Sequence, residues 1–78
     1  MELNAWIDSK ARGQAGVNEV ADLLRENPRT VLSWYRQERA PCLRAAMNIV
    51  QTSHGEVDYN GIYEPIAKRL QRFKRLGG

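Results

Sequence analysis

Apolar residues recur along this chain every three or four positions, the spacing of helices with one buried face. Leu3, Trp6, Ile7, Lys10 and Ala11 follow that pattern and stop near Gly13, which predicts a first helix. A second stripe, Val17, Val20, Ala21 and Leu24, follows Gly16, with Asn18, Glu19 and Asp22 on its polar side. Asn27-Pro28 reads as a helix start. The residue before a proline is pushed towards extended geometry, which suits an N-cap, and proline is favoured in the first helical position. From there Val31, Trp34 and Tyr35 face inward as far as Arg39. Pro41 is read as the start of a fourth helix, with Leu43, Ala46, Met47 and Val50 inward and His54-Gly55 at its end.

Glu56–Tyr63 admits two readings. Val57 and Tyr59 alternate with polar residues and Asn60-Gly61 is a hairpin signal, so one reading is a short extended piece near residues 56–59. The other is a loop running into the last helix, whose stripe is Ile62, Ile66, Leu70 and Phe73. Pro65 argues that this helix begins no earlier than about Ile62, since proline is tolerated only in a first turn. The expected fold is all-α, a compact four- to five-helix domain with one such extended piece, occupying 1–78 as a single domain.

Composition narrows the classes. At 78 residues and 42% hydrophobic, the chain supports one small core and is too apolar for a disordered segment. A single cysteine, Cys42, excludes an internal disulfide framework and supplies no zinc site alone. The start of the chain does not resemble a signal peptide, and no run approaches the roughly 20 apolar residues of a membrane span, so a cytoplasmic protein is expected. His54 and Cys42 lack a neighbouring general base, the acids Glu56, Asp58 and Glu64 lack a histidine for a metal site, and there is no glycine-rich phosphate loop. No enzyme activity, small-molecule substrate, cofactor or metal is therefore expected.

The net charge of +3 hides a division. Met1–Leu24 carries −2, Arg25–Arg44 +3, Ala45–Pro65 −3 with no basic residue, and Ile66–Gly78 +5 with no acidic one. Two separate basic blocks point to an anionic partner met by a directed surface.

Two helices separated by little more than Glu26-Asn27 suggest a helix-turn-helix, and its spacing rules are met. Ala21 is the small residue that lets a second helix cross closely, and Val31 and Trp34 stand ten and thirteen positions later, where an aliphatic and a bulky apolar residue hold that helix to the core. By these matches Val17–Arg36 resembles the lambda repressor/Cro-like helix-turn-helix family, over roughly residues 17–50. The pattern departs at the turn, where Arg25 replaces the usual glycine and Glu26 an apolar residue. Arginine takes positive φ only at a cost, which points to a rearranged or slightly longer turn.

The resemblance implies sequence-specific binding of double-stranded DNA by a small phage-type transcriptional regulator. Its recognition helix, about 28–38, would lie in the major groove, and two copies would bind a palindromic operator. Arg29, Thr30, Ser33 and Arg36 are then the candidate base contacts. Asn27, Gln37, Arg39 and Arg44 are the candidate backbone contacts. Tyr59, Ile62, Tyr63 and Phe73 form the expected dimer interface; the competing reading makes them core. The alternative function is a protein-interaction module, a phage-encoded inhibitor that grips an acidic host protein with its basic C-terminal helix. Membrane binding by that helix is not expected, because its apolar residues are needed to complete the core.

Overall fold

The computed structural model describes the backbone of residues 1–77 and the side chains of residues 1–71. Five helices follow one another: α1 (Leu3–Lys10), α2 (Gln14–Leu24), α3 (Pro28–Tyr35), α4 (Leu43–Thr52) and α5 (Tyr59–Gly77). The fold is all-α, with no strand among the described residues. Leu3, Trp6 and Ile7 of α1 meet Val17, Val20, Ala21 and Leu24 of α2 in one hydrophobic cluster, which Val31 and Trp34 close from α3. Burial of each such aliphatic side chain is worth about 1.5–3 kcal/mol, which offsets the weak propensity of eight-residue helices. α1 and α2 approach closely because Gly16 has no side chain: a Cβ there would run into the carbonyls of Ala11 and Ile7.

α2 ends on Arg25, which takes the left-handed conformation at φ 59° and ψ 42°. The amides of Arg25 and Glu26 then close back on the carbonyls of Asp22 and Ala21, at 3.2 and 2.8 Å. The departure from glycine does not lengthen the turn; Arg25 itself bears the strain. Asn27 caps α3, its side-chain oxygen accepting from the Arg29 amide at 2.8 Å, and Pro28 occupies the first turn.

Several boundaries differ from those the sequence predicts. α3 stops at Tyr35, not near residue 38, because Gln37 adopts a left-handed φ of 61° and turns the chain towards α4. Cys42 is the N-cap of α4, so Pro41 precedes the helix and does not open it. α4 buries Ala45, Ala46 and Ile49, leaving Leu43 66% and Met47 48% exposed. Its inward face is thus turned away from the predicted Leu43–Met47 edge. Asn48 fixes that rotation by donating to the Leu24 carbonyl at 2.9 Å.

The expected extended piece at residues 56–59 is absent. Glu56 and Val57 form a bend, and α5 begins at Tyr59, earlier than Pro65 suggests. Val57 is the anchor: its side chain is fully buried and its amide donates to Ser53 Oγ at 3.1 Å. Asp58 then accepts from the Gly61 amide at 2.7 Å and starts the helix. Asn60-Gly61 is therefore part of a helical first turn, not a hairpin. The start of the chain docks here, with the terminal ammonium on the Glu56 carbonyl at 2.6 Å and the Met1 carbonyl against Gly61.

Candidate nucleic-acid interface

Burial of Val31 at 0% and Trp34 at 4% exposure fixes the rotation of α3 about its axis. The opposite edge then points outward and carries Arg29, Thr30 and Ser33. Arg29 and Thr30 are exposed and Ser33 is half-buried, its hydroxyl donating to the Thr30 carbonyl at 2.6 Å. That proton is committed to the helix, so Ser33 meets an outside partner best as an acceptor.

These three side chains line one face of an open groove of about 390 Å³. Its other walls are Glu26 from the turn, Arg39 and Ala40 from the segment after α3, and Cys42 and Ala45 at the start of α4. Arg29 and Arg39, ten positions apart, are thereby brought to one concave surface. Neither has an ion-pair partner among the described residues. The groove can offer two guanidiniums, each with a fork of N–H donors that fits phosphate or the O6 and N7 of guanine. Glu26 adds an acceptor suited to an exocyclic amino group such as that of cytosine. It escaped sequence reasoning because it stands in the turn, outside the helical periodicity.

The remaining candidates fall elsewhere. Asn27 uses its carbonyl oxygen on the α3 cap and keeps only its amino group for an outside acceptor. Arg36 is the C-cap of α3, at the far end from Arg29; its side chain stands 3.8 Å from Glu38, and its carbonyl accepts from Arg69 at 2.7 Å. Gln37 is half-buried and lines a small separate cavity with Glu2, Asn4 and Ile66, turned away from the groove. Arg44 is exposed on α4 and does not line the groove. The far end of α3 is tied to α1: Asn4 donates to the Tyr35 carbonyl at 2.9 Å, and Tyr35 Oη to Asp8 at 2.7 Å. That bond to a carboxylate raises the Tyr35 pKa above its usual 10.0, with smaller contributions from desolvation and from the Asp8 charge.

The four residues read as an interface or as core divide. Ile62 is 1% exposed and belongs to the core, so it cannot meet a partner. Tyr63 is half-buried against that core and donates its hydroxyl to the Pro41 carbonyl at 2.7 Å. Tyr59 is exposed, and the Phe73 side chain lies outside the described residues. No group of three or more metal-ligating side chains occurs among the described residues, and no helix there is long and apolar enough to cross a membrane.

Comparison with protein-family models, with curated proteins and with solved structures finds no match to this chain.

Proposed function

We propose that this chain is a small sequence-specific binder of double-stranded DNA that acts as a transcriptional regulator, with α3 as the helix entering the major groove. The observation that carries this reading is the outward edge of α3. Arg29, Thr30 and Ser33 face a concave surface that also holds Arg39. The N-terminal end of a helix presented beyond a short turn is the part that reaches base edges in this mode of docking. Arg29 is the base-reading residue, with Thr30 and Ser33 beside it. Arg39, beyond the helix, is a phosphate contact, and Arg44, exposed on α4, is a second candidate for one. Gln37, half-buried on the separate cavity, is left out of the backbone-contacting set, while Arg36, exposed at the end of α3, stays a candidate contact beyond the groove. One α3 covers only a few base pairs, so the reading includes two copies on a two-fold-symmetric operator, where occupancy would block a promoter.

Gripping an acidic protein with the basic end of α5 is the second reading, favoured by the exposure of Lys68 and Arg69 beyond the core. Duplex binding separates the two. Operator affinity should fall steeply with salt, with a logarithmic slope of about −0.9 per phosphate contact. Arg29→Ala should cost about 1–3 kcal/mol of specific affinity, and Arg39→Ala should weaken all duplexes alike and reduce the salt slope by about one. Both side chains are exposed, so circular dichroism should be unchanged in each variant. Parent-like duplex binding by both variants would remove α3 from the interface.

A further inference from the structure

Glu26 carries a charge where the helix-turn-helix pattern has an apolar residue, and the fold leaves that side chain half-buried on the groove beside Arg29 and Thr30. Its backbone is fixed from behind. Arg25 before it is left-handed, and the Glu26 amide donates to the Ala21 carbonyl at 2.8 Å. The carboxylate makes no ion pair among the described residues, although the guanidiniums of Arg29 and Arg39 line the same groove. On a surface that meets a polyanion, such a group weakens binding wherever it faces phosphate. Like charges repel, and closing the interface strips the carboxylate of water.

The start of α3 does not draw a phosphate to this corner. Pro28 has no amide hydrogen, the Arg29 amide donates to the Asn27 side chain, and the Thr30 and Val31 amides donate to the Asn27 carbonyl at 3.0 and 3.2 Å. With these first-turn donors spent, side chains alone make the contacts here, and what a duplex brings to them is a base edge. A carboxylate only accepts hydrogen bonds. In the major groove guanine shows two acceptors, and thymine an acceptor and a methyl, so both leave the carboxylate without a donor. Adenine sets its N7 acceptor beside its amino group. Cytosine shows its N4 amino group with no acceptor beside it, and so satisfies the carboxylate without repulsion.

We propose that Glu26 is a specificity-determining residue of the α3 interface. Its carboxylate accepts from the N4 amino group of a cytosine beside the guanine contacted by Arg29, and it repels the other base edges and the backbone. Arg29 requires acceptors and Glu26 a donor, so a slip of one base pair is opposed at both positions. Glu26 thus weakens binding to every sequence and weakens it least on the right one. This role rests on duplex binding through α3 and adds to it the residue that rejects wrong sequences.

The test compares the parent with Glu26→Gln and Glu26→Ala in selection of bound duplexes from a random pool and in anisotropy titration of a labelled random-sequence duplex. Both variants should melt like the parent, since the carboxylate makes no ion pair among the described residues. The parent consensus should hold a cytosine at one position per half-site, favoured about 10- to 100-fold. In Glu26→Gln that position should change to adenine, to which an amide bonds at N6 and N7, with the rest of the consensus kept. In Glu26→Ala the preference there should disappear. Both variants should bind the random duplex about threefold or more tightly than the parent. The same base at that position in all three proteins would overturn the role of Glu26 and leave duplex reading by α3 standing. Weaker random-duplex binding by the variants would also overturn it. Loss of the guanine position of Arg29 in the Glu26 variants would overturn the cytosine contact and make Glu26 a positioning residue for Arg29. A parent that selects no consensus would overturn the α3 reading, and this role with it.

Discussion

Arg25 holds a conformation that residues with a Cβ adopt at a cost of roughly 1–2 kcal/mol relative to glycine. Its side chain is exposed and makes no ion pair among the described residues, so removing it deletes no contact. Glycine there loses more backbone entropy on folding, which offsets part of the gain. Arg25→Gly is expected to stabilise the fold by about 0.5–1 kcal/mol, a rise of roughly 2–8 °C in Tm for a domain of this size. A thermal melt shows it, and a lowered Tm would mean that the turn is not built on a left-handed residue 25. Arg29, Thr30 and Ser33 were legible at this scale because Val31 and Trp34 are large, apolar and three apart, which leaves one outward direction for the rest of α3. The half-buried placement of Gln37 was not. Extrapolating the helical period past Arg36 assumes continuous helix, and the backbone leaves it where Gln37 turns left-handed.

Gly61 shows why one element was misread. Asn-Gly is a strong local hairpin signal, but what requires glycine here is the Met1 carbonyl, sixty positions away in the chain. A contact of that separation leaves no trace in local pattern. Alanine is ordinarily the better helix former by up to about 1 kcal/mol, so the sign of one substitution separates the two explanations. Gly61→Ala should destabilise by about 1–3 kcal/mol in denaturant unfolding, because the added Cβ overlaps the Met1 carbonyl. A more stable variant would show the chain start not to be docked on α5. The rotation of α4 was hidden for a related reason. Leu43, Ala46, Met47 and Val50 make as good a stripe as Ala45, Ala46 and Ile49, and the Asn48 bond to Leu24 selects between them. Periodicity likewise identified the apolar side of α5 but not the point at which the core beneath it runs out.

Across the whole molecule, one cluster with residues from all five helices holds α3 in place, while α4 and the segment after α3 close the groove beside its outward edge. The all-α architecture and the inward set Ala21, Val31 and Trp34 were readable from spacing alone, since these residues lie within one local helix pair. The groove was not, because Glu26, Arg39 and Cys42 meet only when α4 folds back. The charge division acquires a spatial meaning too: a basic stretch around α3 and the start of α4, an acidic stretch from the segment after α4 into the start of α5, and a basic end to the chain. The most direct measurement of the central claim is selection of bound duplexes from a random pool at moderate salt. The account predicts enrichment of a palindromic consensus whose half-sites lie about 34–36 Å apart, or a multiple of that, and whose selection is lost in Arg29→Ala. Recovery of no consensus, or of the same consensus by Arg29→Ala, would contradict it.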